Sequence, residues 1–412
     1  MALLPQSIQA LAVPAVCILI AFLAYTSQIL FYHLEPGPLS RKEAIWFNGL
    51  VFCLWWCYAE AVRVDPGPKG WVERFAEDVD ANEDGETLKK GVRWCKKCEA
   101  VKPPRAHHCR ACGRCIPKMD HHCPWTQNCV SHTTFPHFIR FVLYCVISTS
   151  LLAYHLFLRL KGVWMDRNLP AYLGPPTWAM AHLFVLTVLN GLILFALSIL
   201  LVRAIYSLGI NTTMIESWEI ERHEALVYRA KKNGGWTYGS GGQRLHIRHQ
   251  EFPYDIGIWQ NLVQAMGTGN VISWILPFAG GPDVSTAGKW EENGFEDAGT
   301  VWPPLDPDKM PRAERNEAAQ VYQNERDAVA AFRERQAKDY ERFAEVDSEP
   351  GGGSEEAYDS EYEAGIDGEP GWTNSDGDRL RDYGVDEEAE LIAEDDIPLG
   401  ELLRRRRARA FA

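Results

Sequence analysis

The sequence predicts an all-α polytopic membrane protein with four transmembrane helices, a cytosolic metal-binding cysteine-rich domain between spans 2 and 3, and a disordered acidic C-terminal tail. Three observations lead to this fold class. Four apolar stretches have membrane-spanning length, seven of the 11 cysteines fall within residues 95–129, and the C-terminal region is strongly acidic in a chain of net charge -13. The fifteen tryptophans, several of them near the ends of the apolar stretches, fit the same class because aromatic residues favour the membrane interface.

The four apolar stretches meet the length that a bilayer requires, which is about 20 residues. We place the transmembrane helices at residues 11–31, 44–62, 138–158 and 178–202. The first lacks the basic region of a signal peptide and exceeds its apolar length, so we interpret it as a retained anchor. Buried helices of a soluble protein are the alternative, and the length of the stretches argues against them.

The distribution of basic residues orients the chain. The connection between the second and third stretches, residues 63–137, carries thirteen Lys and Arg side chains, whereas the short connections on the other side carry few. Positively charged connections remain on the cytosolic side of a membrane. The pattern therefore predicts a cytosolic cysteine-rich domain, and with four spans both termini are cytosolic as well.

The cysteine-rich stretch has the spacing of metal sites. Its cysteines form three C-x-x-C pairs: Cys95/Cys98, Cys109/Cys112 and Cys112/Cys115. Such a turn brings two thiolates to one tetrahedral zinc ion, and structural zinc sites use four Cys or His ligands. Clustered cysteines on the basic side of the chain also favour a reducing cytosol over a disulfide framework. Two zinc sites would use eight ligands, and the stretch offers more donors than that.

The donors that zinc does not need could carry chemistry. In nucleophilic catalysis a base takes the proton of a thiol, and a carboxylate holds the base in the right tautomer. Asp120, His121 and Cys123 offer these three groups within four residues. Nearby zinc and basic side chains would lower the pKa of the thiol further. Spacing alone leaves open which Cys and which His are free, and it fits an all-structural zinc domain as well as an enzyme.

Residues 203–278 form a second cytosolic segment after the fourth span. Within it, Ile256, Trp259, Leu262 and Met266 recur at helical spacing. A short helix with one apolar face is typical of the membrane interface, so we predict an interfacial amphipathic helix here. Packing in a soluble core is the alternative that the pattern leaves open.

Residues 279–412 are predicted to form an acidic, mostly disordered tail. Between residues 355 and 396 we count 17 acidic residues against two arginines. Such a composition buries too little apolar surface to offset the entropy of the chain. Within the tail, residues 312–345 are predicted to form a solvated helix, and the arginine cluster at residues 404–409 is interpreted as a solvated run of charge.

The cysteine-rich stretch resembles a known family. The residues that carry the resemblance are Arg105, His108-Cys109-x-x-Cys112-x-x-Cys115, Asp120-His121-His122-Cys123-Pro124-Trp125 and Asn128-Cys129. They resemble the DHHC-type protein S-acyltransferases, or palmitoyltransferases. Three shorter elements outside the stretch resemble the same family: Asp65-Pro66-Gly67, Asn211 to Glu216, and the pattern Tyr254, Gly257, Asn261, Gly267. The run from Pro124 to Phe138 resembles the fungal endoplasmic-reticulum subgroup.

The resemblance implies a role for all seven cysteines and for His108, His121 and His122. It assigns one structural Zn²⁺ to Cys95, Cys98, His108 and Cys115. It assigns the second to Cys109, Cys112, His122 and Cys129. Cys123 would then be the acylated nucleophile, His121 its base and Asp120 the group that orients His121. Two residues of the substrate-binding region follow: Trp125 beside the thioester or the start of the acyl chain, and Asn261, which supports the catalytic region through hydrogen bonds.

The implied function is protein S-palmitoyl transfer. A long-chain acyl group would pass from an acyl-CoA, with palmitoyl-CoA as the donor, to cysteines of membrane-associated client proteins through an acyl-Cys123 intermediate. The implied clients carry cytosolic juxtamembrane cysteines, with multi-pass cell-wall synthases as candidates, and the lipid bilayer is the other partner. The subgroup implies the endoplasmic-reticulum membrane, with the Golgi membrane as the alternative.

Two other classes of protein compete with this hypothesis. A membrane scaffold would use the zinc domain and the acidic tail to recruit partners, without an acyl-enzyme. A metal transporter would place His and acidic residues inside the spans, which hold almost none away from their ends. Nucleic-acid binding is excluded by the acidic net charge and by basic residues that are scattered through a metal domain.

Overall fold

The computed structural model describes the membrane helices, the cysteine-rich domain and part of the tail. The described residues are 11–75, 93–168, 170, 174–238, 244–288, 290–295, 302–304, 306–307 and 372–391. The predicted helix at 312–345 and the arginine cluster at 404–409 lie outside them.

Four helices in the described part of the chain are long and apolar enough to cross a membrane: α1 (Ala12–His33), α2 (Arg41–Arg63), α3 (Phe135–Met165) and α4 (Thr177–Ile210). They correspond in order to the four predicted spans, but most of them extend further. The helix α4 continues eight residues past the predicted end at residue 202, and Ala204 and Leu208 in this last part are buried against the segment that follows the helix.

Local sequence signals set two of these helix ends. The helix α2 begins at a capping box, in which the Ser40 side chain accepts from the Glu43 backbone N–H and the Glu43 carboxylate accepts from that of Ser40. The helix α4 ends at Asn211, which adopts the left-handed conformation with φ of 55°. Asparagine tolerates this conformation better than most residues, so it can terminate a helix as glycine does.

The long helices pack along two apolar clusters. One lies among all four helices, where Phe31, Leu156 and Leu186 are fully buried. The other joins α1, α2 and α3 to the cysteine-rich domain, because Cys123 and Val130 of that domain pack with Tyr58, Phe141 and their neighbours. The cysteine-rich domain is thereby fixed directly against one end of the helices.

The cysteine-rich domain consists of short antiparallel hairpins. Its strands are β1 (Trp94–Cys95), β2 (Ala100–Val101), β3 (His107–Cys109), β4 (Arg114–Ile116), β5 (His121–Cys123) and β6 (Asn128–Val130). They pair as β1–β2, β3–β4 and β5–β6. Hairpins whose strands have only two or three residues are too small to be stable alone. The domain therefore requires cross-links such as metal ions.

The segment after α4 folds back onto the helices and the cysteine-rich domain. It contains α5 (Met214–Lys232), β7 (Trp236–Tyr238), β8 (Arg244–His246), α6 (Ile258–Met266) and α7 (Val271–Ile275). Ala265 and Met266 of α6 pack against Ile139, Ala204 and Leu208 of α3 and α4. The first turn of α6 leaves Ile258 and Trp259 exposed, whereas Ala265 and Met266 in its last turn are buried.

One part of the acidic tail folds onto the cysteine-rich domain, and the prediction that the tail is mostly disordered stays a prediction. Residues 372–391 contain a 3₁₀ turn, Leu380–Tyr383, and the strand β9, Glu390–Leu391, which pairs antiparallel with β1. Leu380, Tyr383 and Val385 are buried. These few apolar side chains pack on the cysteine-rich domain. The amino-acid composition of the tail cannot indicate such a long-range contact.

Candidate active site and metal clusters

The hairpin β5–β6 sorts the DHHC residues onto two faces. Successive side chains of a strand point to opposite faces. His122 lies opposite Cys129 in the register and shares its metal cluster, whereas His121 and Cys123 lie on the other face of β5. The alternation therefore separates one histidine for metal binding from a second histidine beside a cysteine that belongs to neither cluster.

The imidazole and the thiol on the face of β5 away from the metal cluster lie close to a carboxylate, that of Asp120, which directly precedes the strand. The Asp120 Oδ2 atom lies 2.7 Å from His121 Nδ1. The other carboxylate oxygen, Oδ1, accepts from the Met214 backbone N–H at 2.8 Å. Asp120 is thus fixed at both oxygens, and a fixed carboxylate holds the imidazole with Nδ1 toward it and Nε2 available for chemistry.

Electrostatics couple His121 to Cys123. Burial favours the neutral forms, lowering the pKa of His121 and raising that of Cys123, but interactions between the two side chains outweigh it. Hydrogen bonds with Asp120 and Cys123 raise the pKa of His121 to about 10. His121 and, more weakly, Thr126 bring the pKa of the Cys123 thiol below its ordinary value. The pair therefore favours a thiolate beside an imidazolium, and the thiolate is the nucleophilic form.

Cys123 is surrounded by apolar side chains of the membrane helices. Its side chain is 5% exposed and packs with residues of α1, α2 and α3, including Tyr58 and Phe141. Tyr58 also donates a hydrogen bond from its hydroxyl to the Trp125 carbonyl at 2.9 Å. The Asn128 side-chain amide donates to the carbonyls of Ala61 and Val64 at the end of α2. These bonds fix the β5–β6 hairpin to the second helix.

Two Cys/His groups in the described residues are close enough to hold a metal ion each. The first cluster comprises Cys95, Cys98, His108 and Cys115. The second cluster comprises Cys109, Cys112, His122 and Cys129. The structure thus brings together both ligand sets that the resemblance implies. Neighbouring residues His108 and Cys109 of β3 go to different clusters because a strand directs successive side chains to opposite faces.

The spacing of the donor atoms suits zinc. In the first cluster the His108 Nδ1 atom lies 3.3, 3.3 and 3.9 Å from the three sulfur atoms. In the second cluster His122 Nδ1 lies 3.5 to 3.6 Å from its sulfur atoms. Tetrahedral zinc with its usual bonds to sulfur and nitrogen separates its ligand atoms by about 3.5 to 3.8 Å. Each donor set consists of three thiolates and one imidazole, and the spacing of its atoms fits a zinc ion.

A buried ion pair joins the cysteine-rich domain to the segment after α4. The Arg105 guanidinium donates to both carboxylate oxygens of Glu216, at 2.5 and 2.7 Å, and to the Asn211 carbonyl at 2.5 Å. The two side chains are only 1% and 2% exposed. Glu216 also completes a capping box with Thr213 at the start of α5. The start of α5 also supplies the Met214 N–H that donates to Asp120. The ion pair therefore positions Asp120 indirectly, through the start of this helix.

The sequence indicates only part of this bridge. The spacing Thr213-x-x-Glu216 is readable as a capping box. The sequence does not indicate the partner of Glu216, because Arg105 lies 111 residues earlier in the chain. The stacking of Tyr254 and Trp290 on the Arg105 guanidinium, at 4.5 and 4.9 Å, is likewise a product of the tertiary fold.

Trp125 and Asn261, the two predicted substrate-binding residues, lie in different surroundings. Trp125 follows β5, and its side chain is 58% exposed. Asn261 is fully buried, and its amide donates to the Gly209 carbonyl and to Asp255, each at 2.7 Å. These bonds tie α6 to the end of α4. Asn261 therefore supports the fold around the site, and the structure shows no contact of its side chain with Cys123.

Replacing Glu216 by glutamine is expected to destabilise the protein strongly. The substitution would leave the buried Arg105 charge without its partner, which typically costs about 3–5 kcal/mol of unfolding free energy. We expect a clear drop in the thermal unfolding midpoint of the detergent-solubilised protein. Glu224→Gln, at an exposed position of the same helix, is the matched control and should change stability by less than about 0.5 kcal/mol. Equal midpoints for the two variants would contradict the structural role of the ion pair.

Comparison with known proteins identifies the class to which the fold and site belong. Residues 88–221 match the family model described as DHHC palmitoyltransferase. Together with relatives that align along nearly the whole chain, this match shows that the protein belongs to the DHHC palmitoyltransferase family, enzymes that acylate protein cysteines. The predicted family and enzyme class are confirmed. Family membership also favours an enzyme over the scaffold and the metal transporter.

The similar relatives are fungal. The chain is 49% identical to "Palmitoyltransferase pfa4" of Emericella nidulans, covering 98% of each chain. It is 49% identical to the protein of that name in Aspergillus fumigatus, over 97% of this chain and 98% of the relative. Identity to the Neurospora crassa protein of the same name is 40%, over 98% and 97%. The protein is therefore a protein S-palmitoyltransferase of this fungal type, acting on membrane-associated substrates.

Proposed function

We propose that Cys123 is the acyl-carrying nucleophile of this palmitoyltransferase, with His121 as its base and Asp120 as the group that orients His121. The proposal depends on one observation: the side chains of β5 point to two opposite faces. His122 faces the second cluster, while His121, hydrogen-bonded to Asp120, interacts with Cys123 on the opposite face. Nucleophile, base and orienting carboxylate are the three parts that thiol catalysis requires.

The proposed reaction has two thioester exchanges. In the first, the Cys123 sulfur attacks the carbonyl carbon of palmitoyl-CoA, its bond to the CoA sulfur breaks, and CoA leaves with the proton that His121 took from Cys123. In the second, His121 takes the proton of a client thiol, whose sulfur attacks the acyl-Cys123 carbonyl. Cys123 leaves as a thiolate and recovers the proton from His121. Each step forms one thioester and breaks one, so no other energy source is needed.

Zinc would act as a structural ion at both clusters. The eight ligands span residues 95–129 and connect all of the small hairpins of the cysteine-rich domain. Structural zinc is held by four protein ligands, which leaves it no open position for a substrate. Zinc would thus fix the β5–β6 hairpin, and with it the orientation of Cys123.

The acyl chain is proposed to lie among the membrane helices. Cys123 borders the apolar cluster formed by α1, α2 and α3, which offers surroundings suited to hydrocarbon. Each buried CH₂ contributes about 0.8 kcal/mol, so a sixteen-carbon chain gains far more there than in water. The polar CoA head would remain on the side of the cysteine-rich domain, where basic residues concentrate.

The membrane topology that fits this arrangement has four spans with both termini in the cytosol. The basic residues of the 63–137 region support a cytosolic cysteine-rich domain. The exposed apolar residues Ile258, Trp259 and Ile272 lie on α6 and α7, next to the helices, and they support an interfacial position for this segment. Cys123 would then lie at the cytosolic membrane surface, where a thiol near a client's transmembrane helix can reach it.

The clients are proposed to be membrane proteins with cytosolic juxtamembrane cysteines, and multi-pass cell-wall synthases are the candidate class. The resemblance of residues 124–138 to the fungal endoplasmic-reticulum subgroup supports this assignment and location in that membrane. Fluorescence of a tagged full-length chain against endoplasmic-reticulum and Golgi markers would distinguish the two organelles.

Intact mass measurement of the purified protein tests the proposed intermediate. After incubation with palmitoyl-CoA, we expect a mass increase of one palmitoyl group and an equal amount of free CoA. Neutral hydroxylamine should remove the added mass because it cleaves thioesters. An unchanged mass, or an adduct that resists hydroxylamine, would contradict an acyl-thioester intermediate.

A further inference from the structure

A segment of the acidic tail is seated on the metal-binding domain. We call residues 372–391 the tail clasp. It lies far from the cysteine-rich domain in sequence, with a separation of 289 residues between Lys97 and Asp386, yet these two side chains form an ion pair. The Asp386 side chain is only 1% exposed. The clasp is therefore a docked element of the fold within a tail of otherwise disorder-prone composition.

The clasp bonds to the backbone of the first cluster. Its strand β9 pairs with β1, with Glu390 opposite the ligand Cys95. The Lys96 N–H donates to the Ala389 carbonyl at 2.8 Å, and the Asp386 N–H donates to the carbonyl of the ligand His108 at 2.8 Å. The β1–β2 hairpin contains two-residue strands, so β9 adds a third strand to a sheet that is otherwise minimal.

The clasp also covers the second cluster. Val385 forms an antiparallel bridge with the ligand Cys109, and the Arg110 N–H donates to the Gly384 carbonyl at 3.0 Å. Gly384 adopts φ of 87°, and a Cβ atom there would lie 2.7 Å from the Cβ of the ligand His122. Only glycine permits this approach, because another residue would meet both a steric clash and an unfavourable backbone conformation.

The other end of the clasp is anchored on α5. Trp372 packs edge-to-face on Trp218 with ring centroids 5.0 Å apart, and the Arg222 guanidinium lies 5.4 Å from the Trp372 ring. The Trp218 indole donates to the Asp378 carbonyl at 3.1 Å. Between the two ends, Leu380, Tyr383 and Val385 pack with Cys109, Cys129 and Ile116. The clasp thus has its own apolar contacts and does not depend on the strand pairing alone.

We propose that the tail clasp retains zinc by covering both clusters and bonding to the backbone of their ligands or of the residues next to them. The inference rests on the proposed zinc occupancy of the clusters. Cys95 and Cys109 are fully buried with the clasp in place, and His108 is 2% exposed. Zinc leaves a small domain when the ligand-bearing backbone opens locally. The clasp adds hydrogen bonds and buried apolar surface that must be broken before the hairpins open.

The rate of zinc transfer to a chromogenic chelator tests the proposal on the full-length protein in detergent. Leu380→Asp places a charge in the apolar contact of the clasp and is expected to speed release at least tenfold. Trp372→Ala removes the anchor on α5, away from the metal ligands, and is expected to speed release severalfold. Thr373→Asp, at an exposed position of the clasp, is the matched control and should release zinc within twofold of the unmodified protein.

Zinc content measured before the chelator is added distinguishes failure of the metal assignment from failure of the clasp proposal. Two zinc ions per chain are expected in the unmodified protein and in all three variants. A protein purified without zinc would overturn the metal assignment together with the clasp. Zinc-loaded Leu380→Asp and Trp372→Ala proteins that release zinc at the unmodified rate would overturn the clasp alone. If Leu380→Asp does not fold, the release rate of Trp372→Ala decides the outcome.

Discussion

Replacing Cys123 by serine is expected to abolish the acyl-enzyme and to lower client acylation at least about a thousandfold. A serine hydroxyl has a far higher pKa than a thiol, so His121 cannot generate an oxyanion as it generates a thiolate. Any ester formed on serine would also be a poorer acyl donor than a thioester. Incorporation of radiolabelled palmitate from palmitoyl-CoA, followed by gel fluorography, measures the first step directly.

Zinc content distinguishes this catalytic loss from misfolding. Cys123 belongs to neither cluster, so the Cys123→Ser protein should keep two zinc ions per chain and the thermal unfolding midpoint of the unmodified protein. Label on the variant at the unmodified level would show that another residue accepts the acyl group. Loss of zinc from the variant would show instead that Cys123 is a metal ligand.

The positions of the membrane helices follow from the sequence almost directly, because a long apolar helix is determined by its own composition. The ends of the helices are less predictable. The predicted second span starts at residue 44, whereas α2 starts at Arg41, where the Ser40 and Glu43 capping box supplies polar bonds that a hydropathy argument ignores. A prediction from apolar length therefore misplaces the end of a helix where polar capping determines that end.

The grouping of the metal ligands needed more than spacing. The C-x-x-C pairs predict zinc, but spacing leaves open which histidine joins which pair. The answer lies in the hairpin registers, in which His108 is opposite Cys115 and His122 is opposite Cys129. Because β5 is a strand, the alternation of its side chains separates His122 from His121 and Cys123 without reference to a family.

The tail clasp and the Arg105–Glu216 pair are contacts that the sequence does not predict. Both connect residues more than a hundred positions apart. The clasp also lies in a region where acidic residues outnumber apolar ones, and a composition argument averages over its few buried side chains. Long-range docking of short segments depends on the shape of the partner surface, which exists only after the metal-binding domain has folded.

Replacing Cys98 by serine is expected to remove zinc and unfold the cysteine-rich domain. Serine is a poor zinc ligand, and the binding free energy of structural zinc, about 10–16 kcal/mol in small zinc peptides, contributes directly to folding. We expect client acylation to be lost together with zinc, since the β5–β6 hairpin would no longer hold Cys123 beside His121. Zinc per chain, measured by mass spectrometry on purified protein, and acylation of a client should fall together.

The connection between the clusters determines how much zinc this variant retains. The strand β3 supplies His108 to the first cluster and Cys109 to the second, and the tail clasp bonds to the backbone of His108 and of Arg110, the residue after Cys109. Opening the first cluster therefore loosens the backbone of a second-cluster ligand, and we expect well below one zinc ion per chain in Cys98→Ser. A variant that keeps one zinc ion would show that the clusters fold independently. A variant that keeps two would contradict the assignment of Cys98 as a ligand, with Cys123→Ser as the cysteine control that retains both.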